Sequence, residues 1–355
     1  MKRLKALAIC LAFAITTLFT SITSYAVNTP DIAAAAAIVI NASTGQVLYQ
    51  KDAETSYYPA SITKVMTAML VLEHCSMDEI VTFSKAATTN LESGAVTLNL
   101  TAGDKLTVKD CMYALMLKSA NEVANGLAEH VAGSVPAFAE LMNQKAAQLG
   151  CTHTHFANPN GLNNSEHYVS AHDMALIARA AFANDTLCKI ASTKSYKVGP
   201  TKNNPSGVTV KLANKTMLPE YPDCYYQYTI AGKTGYTSRA GSTLVTVAEK
   251  NGVRLIAVVL KSTKYLGQYT DTKALFEFGF AMGGMQSNQT ISNTSPGTQG
   301  QTPGSTTGTQ TPGGTTGTQT IGNTTAGAHD DMVGPGKNKA DGSVLLVGPG
   351  QYVKQ

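Results

Sequence analysis

The 355-residue chain has no tryptophan, 7% aromatic residues and only 14% charged residues. No basic run interleaved with aromatics occurs, so the electrostatic footprint of a nucleic-acid binder is missing. Its six cysteines form no C-x-x-C pair, which excludes a zinc knuckle and a thioredoxin-like redox motif. No H-E-x-x-H occurs, so the sequence gives no metallopeptidase pattern, and no metal or cofactor is expected. Beyond the first residues no apolar run is long enough to span a bilayer. Between Phe278 and Ala328 charge is absent altogether.

What is present falls into four segments. Lys2, Arg3 and Lys5 precede an apolar stretch from Leu4 to about Phe19, followed by Ser24-Tyr25-Ala26. This order reads as a signal peptide cleaved after Ala26, giving export as a secreted or wall-associated protein. Its removal lowers the formal charge of +4 to about +1. Residues 27–286 read as one globular domain. Residues 287–328 read as a disordered Thr/Gly/Pro/Gln linker, in which Thr302–Gln310 recurs almost intact as Thr311–Gln319. Residues 329–355 form a short tail with Val-Gly-Pro-Gly twice and no long amphipathic helix, hence no clear membrane anchor. Cys75, Cys111, Cys151, Cys188 and Cys224 remain in the domain and read as buried free thiols, although their pairing is not legible.

Periodicity gives the domain sheet-like ends and a helical middle. Ala37–Asn41 and Val47–Lys51 flank a hairpin turn. Ser61–His74 reads as one helix with a wide apolar face, and Val108–Val131, Val135–Leu149 and Ala171–Ala183 as further helices. Gly207–Leu212, Tyr228–Gly235, Ser242–Glu249 and Val253–Leu260 read as strands, the last two joined by an Asn251-Gly252 turn. Asp271–Phe280 closes the domain as a helix. The expected class is α/β of the α+β kind: an antiparallel sheet built from both chain ends, flanked by helices, with a helical insertion.

Three short motifs carry chemistry. In Ser61-Ile62-Thr63-Lys64 the serine opens a helix and the lysine follows one turn later on the same face. A serine hydroxyl needs a neighbouring base, and lysine serves only if burial or another cation lowers its pKa. Ser119-Ala120-Asn121 places a hydroxyl and an amide where they could share a proton relay with Lys64. Lys233-Thr234-Gly235 ends a strand; its cation and hydroxyl suit a substrate carboxylate, and its glycine would let a substrate backbone lie close. Each triplet alone is also an ordinary cap, turn or strand edge. Together they match the set S-x-x-K, S-D-N and K-T-G of penicillin-binding proteins and class A β-lactamases.

The chain resembles the low-molecular-mass D-alanyl-D-alanine carboxypeptidases, serine peptidase family S11, from about Ala34 to Phe280. The likeness extends to Tyr58-Pro59-Ala60 before the first motif, Phe156-Ala157-Asn158-Pro159-Asn160-Gly161-Leu162, His167-Tyr168-Val169-Ser170-Ala171 and Gly232-Lys233-Thr234-Gly235-Tyr236-Thr237. The resemblance implies a serine β-lactamase/DD-peptidase-like transpeptidase fold and a peptidoglycan stem peptide ending in D-Ala-D-Ala as substrate. It implies Ser61 as nucleophile, Lys64 as base and Ser119 as proton relay. Asn121, Lys233, Thr234, Gly235 and Tyr236 would bind substrate, the backbone N–H of Ser61 and of Tyr236 forming the oxyanion hole. β-Lactams would acylate Ser61 and inhibit, and the protein would act as a monomer.

The sequence departs from the family in three places. Glu122 stands where members often carry Asp, and Gln268 stands near an arginine that contacts the carboxylate in some members, with Arg239 a nearby substitute. The linker and tail replace the usual second domain and anchor. A DD-endopeptidase shares all three motifs. A class A β-lactamase should have Asn four residues after its glutamate, but Glu166 is followed there by Ser170. His153-Thr154-His155 and the pair His167 and His172 read as structural rather than as ligands of a zinc DD-peptidase. A non-catalytic wall-binding protein would have no need to keep Ser61 and Lys64 paired.

Overall fold

The computed structural model describes residues 28–89 and 91–292, with side chains as far as residue 282. The expected signal segment and tail lie outside the described residues, as does the expected linker except for residues 287–292, which continue the last helix instead of being disordered. A five-stranded antiparallel sheet runs in the order β2-β1-β9-β8-β7. Its strands are β1 (Ala36–Asn41), β2 (Val47–Lys51), β7 (Thr229–Thr237), β8 (Gly241–Lys250) and β9 (Val253–Ser262). Two-stranded sheets pair β3 (Ile80–Thr82) with β4 (Lys105–Thr107) and β5 (Ser195–Val198) with β6 (Val208–Lys211). The expected strand at Gly207–Leu212 is thus present but belongs to a separate hairpin.

The helices are α1 (Lys64–His74), α2 (Lys85–Thr88), α3 (Val108–Tyr113), α4 (Asn121–Ala132), α5 (Val135–Gln148), α6 (Ala171–Ala181), α7 (Asp185–Ser192) and α8 (Gly267–Ser292). α8 runs twelve residues past the expected end at Phe280.

The central strands are apolar at nearly every position because both faces of the sheet are covered. Ile38, Ile40, Ile256, Val258 and Leu260 face the large core shared with the helical lobe. The alternating set Ala37, Val39, Leu255, Ala257 and Val259 packs with Leu275 and Phe276 of α8. Asn251 and Gly252 both adopt positive φ, at 51° and 78°, as a tight two-residue hairpin of this hand requires. Asp271 ties the start of the domain to α8 by accepting from the backbone N–H of Ala33 and Ala34.

α1 is the axis of the helical lobe. Its first eight residues, Lys64 to Val71, are all buried, the pattern of a helix enclosed on every side. The expected single helix Val108–Val131 is instead broken: α3 passes into a π-helical turn at Ala114–Lys118, Ser119 turns left-handed with φ 67°, and α4 starts at Asn121. A π-turn inserts one residue into the helical repeat, and such insertions gather at functional sites.

Candidate active site

Ser61 lies on a 3-10 turn, Ala60–Thr63, that feeds directly into α1. The predicted α-helix therefore begins at Lys64, and Ser61 is carried on a tighter lead-in turn. In that turn, as at any helix start, the first N–H groups have no intrahelical acceptor. Ala60, just before the serine, adopts φ 52°, a left-handed conformation that L-residues rarely take.

Two glycines from distant segments make room for the Ala60–Ser61 peptide. A Cβ on Gly161 would lie 1.9 Å from the Ala60 carbonyl oxygen. A Cβ on Gly235 would lie 2.8 Å from the Ser61 nitrogen. Gly235 has a purpose the sequence did not suggest: it lets strand β7 close on the protein's own nucleophile turn. Thr243 of β8 donates to the Pro59 carbonyl at 2.8 Å and anchors the same turn.

A buried relay holds the turn from beneath. The backbone N–H of Ala157 donates to His167 Nδ1 at 3.0 Å, which leaves the ring proton on Nε2. Nε2 lies 2.8 Å from Thr63 Oγ1, and that hydroxyl donates to the Ala60 carbonyl at 2.8 Å. Burial lowers the His167 pKa to about 3, so the ring stays neutral.

Lys64 is fully buried. Its Nζ lies 3.0 Å from Ser61 Oγ, donates to Asn121 Oδ1 at 2.8 Å and donates to the Asn160 carbonyl. The Asn121 amide orientation is fixed, because its Nδ2 donates to the Val96 carbonyl at 3.0 Å. Burial, and secondarily the charge of Lys233, hold the Lys64 pKa well below its ordinary value. A neutral amine has two N–H donors and one lone pair. Asn121 Oδ1 and the Asn160 carbonyl can only accept, so they take both donors. In its neutral form the amine therefore turns its lone pair to the Ser61 hydroxyl, the geometry a proton acceptor requires.

Lys233 of β7 is also buried, its Nζ donating to the Thr234 carbonyl at 2.8 Å, and burial lowers its pKa to about 7. β7 is an edge strand of the sheet, and Thr234 is half-buried on it. Tyr236 is 52% exposed. Ser119 is buried in its left-handed turn, and its Oγ has no hydrogen-bond partner. Of the amide and hydroxyl expected to share a relay with Lys64, the structure brings Asn121 into contact and leaves the Ser119 hydroxyl unbonded. Glu122 is buried and raised in pKa by desolvation. It accepts from the backbone N–H of Leu98 at 2.6 Å, bracing the loop whose Val96 carbonyl orients Asn121. Gln268 sits on α8 with its Oε1 buried and unpartnered, and Arg239 is on the exposed turn after β7.

Sequence reasoning assigned no role to Asn160 or Gly161 and read His167 only as structural. The stretch Asn158–Gly161 is rich in turn-forming residues, which signals a fixed loop. Nothing local says that the loop closes on residues about a hundred positions away. All five domain cysteines are free thiols. Among the described residues no helix is long and apolar enough to cross a membrane.

Comparison with known proteins follows the same lines. The family described as Peptidase S11, D-alanyl-D-alanine carboxypeptidase, matches residues 23–264. The chain is 30% identical over 250 residues to D-alanyl-D-alanine carboxypeptidase DacF of Bacillus subtilis, covering 70% of this chain and 62% of that protein. It is 33% identical over 271 residues to the D-alanyl-D-alanine carboxypeptidase of Streptomyces sp. strain K15, covering 72% of this chain and 90% of that one. Among solved structures it is similar to the Streptomyces K15 DD-transpeptidase, with TM-score 0.66 and 33% identity over 72% of this chain and all of that one. The D-alanyl-D-alanine carboxypeptidase from Mycobacterium tuberculosis gives TM-score 0.64 and 30% identity over 73% of this chain and 95% of that one. With its antiparallel sheet, its helical lobe and its matched motifs, the chain belongs to the D-alanyl-D-alanine carboxypeptidase family, peptidase family S11.

Proposed function

We propose that the protein is an exported serine D-Ala-D-Ala carboxypeptidase acting on peptidoglycan stem peptides. Ser61 Oγ adds to the carbonyl of the penultimate D-alanine as its proton passes to Lys64. The C–N bond then breaks, the departing nitrogen takes up a proton by way of Ser119, and D-alanine leaves. Water hydrolyses the acyl ester on Ser61 and returns the free hydroxyl. Asn121 aligns the substrate amide while Lys233 and Thr234 hold the terminal carboxylate. The N–H groups of Ser61 and Tyr236 stabilise the oxyanion. β-Lactams enter by the same acylation.

The observation that carries this reading is the arrangement about Lys64: a buried amine 3.0 Å from the Ser61 hydroxyl that also bonds Asn121 Oδ1 and the Asn160 carbonyl. The basic and apolar first residues support export, and the uncharged repeat supports a linker outside the catalytic domain of residues 27–286.

The test is release of free D-alanine from a synthetic peptide ending in D-Ala-D-Ala. The native protein should release it and Ser61→Ala should not; no release by the native protein overturns the proposal. The Streptomyces K15 relative is named as a carboxypeptidase and, in its solved structure, as a DD-transpeptidase. Adding an amino-acid acceptor to the assay measures how the acyl-enzyme divides between water and amine.

A further inference from the structure

Residues 52–58, which lead into the nucleophile turn, are stitched to two other segments. His172 N–H donates to the Ala53 carbonyl at 2.9 Å, Tyr57 and Val169 exchange backbone hydrogen bonds, and Ser56 Oγ donates to the His153 carbonyl at 3.0 Å. At this junction Glu54, His153 and Asp173 each present a ligand-type atom, all within 4.8 Å of one another. Glu54 Oε2 lies 3.3 Å from His153 Nδ1, and its Oε1 lies 3.0 Å from His172 Nδ1.

A second observation points to a ligand. Asp173 is 0% exposed. Its Oδ2 accepts from His153 N–H at 2.7 Å and Thr154 Oγ1 at 2.8 Å, while its Oδ1 is buried with no hydrogen-bond partner. A buried carboxylate oxygen without a donor or cation is costly. The contacts of Glu54 with the two histidines leave that oxygen as it is, while a carboxylate oxygen of Asp173 lies within 4.8 Å of both Glu54 and His153, in reach of a shared cation.

We infer that Glu54, His153 and Asp173 form a binding site for a zinc-class divalent cation, with His172 holding the second oxygen of Glu54. The donor set is one imidazole nitrogen and two carboxylates, which suits zinc and its neighbours better than magnesium. Bonds of about 2.0–2.2 Å to a tetrahedral ion set ligand atoms about 3.3 Å apart, which is the Glu54–His153 separation. Two carboxylates and a neutral imidazole balance the charge of one divalent ion. An ion here would clamp the segment that delivers Ser61 to the loop at 153–155 and to the start of α6, apart from the chemistry at Lys64.

The test uses the untagged full chain, freed of metal by a chelator and titrated with zinc chloride in equilibrium dialysis, with magnesium chloride as control. One equivalent of zinc should bind, and Tm should rise with the logarithm of free zinc; magnesium should do neither. His153→Ala and Glu54→Gln alter exposed side chains. Each should lose the bound equivalent while keeping the Tm of the metal-free native protein. Cys75→Ser should retain it, which separates this site from the cluster of Cys75, Glu79 and His130. No stoichiometric zinc on the native protein, native-like binding by the first two variants, or loss of zinc in Cys75→Ser overturns the inference.

Discussion

The sheet and the helical lobe satisfy their residues to different degrees. In the sheet, β1, β8 and β9 bury apolar side chains on both faces, and the Asn251-Gly252 turn has the residues its backbone demands. In and around the lobe, Ala60 and Ser119 hold left-handed backbone without being glycine, Lys64 is buried as is Lys233 on the sheet's edge strand β7, and the Ser119 hydroxyl has no partner. Each of these is unfavourable locally and persists only because its surroundings over-determine it. All of them lie in or beside the segments that carry the three motifs. The sheet supplies stability, and the lobe spends part of it on holding a reactive arrangement.

Variants that remove the reactive pair should have the largest effect on function. Ser61→Ala and Lys64→Arg should each cut D-alanine release by about a thousandfold or more. A guanidinium stays protonated and cannot take up a proton. Covalent labelling by a fluorescent penicillin, resolved on a gel, checks both; labelling of Ser61→Ala would place the nucleophile elsewhere.

Glycine replacements set the two regions directly against each other. Gly252→Ala meets nothing within 4 Å, so only its positive φ is penalised, at about 1 kcal/mol. Gly161→Ala would drive a Cβ to 1.9 Å from the Ala60 oxygen and should destabilise several-fold more. Urea denaturation of the two variants measures the difference, and equal losses would show that the turn at Ser61 yields.

Protonation sharpens the contrast. Lys233 has a folded pKa of about 7 against an ordinary value of 10.5, and Lys64 is lowered as well. The unfolded chain therefore holds more protons than the folded one between about pH 7 and 10.5. The burden of the buried lysine is full below pH 7 and shrinks as pH rises through that window, so these groups make stability increase with pH. Lys233→Met should raise Tm at neutral pH, by about 2–4 °C for each kcal/mol relieved, with the advantage fading toward pH 10. The same variant should raise KM for a substrate with a free carboxylate. A melting series from pH 6 to 10 would show parallel curves if Lys233 carried no such burden.

Ser119→Gly should give a smaller effect of mixed sign. Relief of the left-handed backbone should stabilise by about 1 kcal/mol, while loss of the hydroxyl should slow acylation. Thermal melts and penicillin-binding rates on one preparation test the opposition. The smallest effect is expected at the far end: a chain ending after Ser292 should melt and acylate like the full chain.

The sequence reading succeeded where the physics was local. Alternating or continuous apolar runs marked all five strands of the main sheet to within two residues, and helical periodicity marked the start of α5 at Val135. Helical spacing put Ser61 and Lys64 on one face, and the other two motifs and the family resemblance singled that pair out. It failed where tertiary contacts decide. Nothing near Leu117 announces a π-turn, since Val108–Val131 is a plausible unbroken helix by periodicity. Asn160 acts through its backbone carbonyl, an atom every residue has, so its side chain says nothing of the bond to Lys64. The role of Gly235 likewise depends on which backbone comes to lie against it.

The order of strands has a consequence for how the chain is made. β1 lies near the start of the domain, yet its neighbour in the sheet is β9, with Ile38 opposite Val258. Ring closure over that many residues is slow and entropically demanding. Until β9 emerges, the apolar β1–β2 hairpin has one edge with nothing to pair against, and Ser61 has no β7 to lean on. Closure of the sheet and completion of the site therefore depend on the same late segment of the chain, β7 to β9.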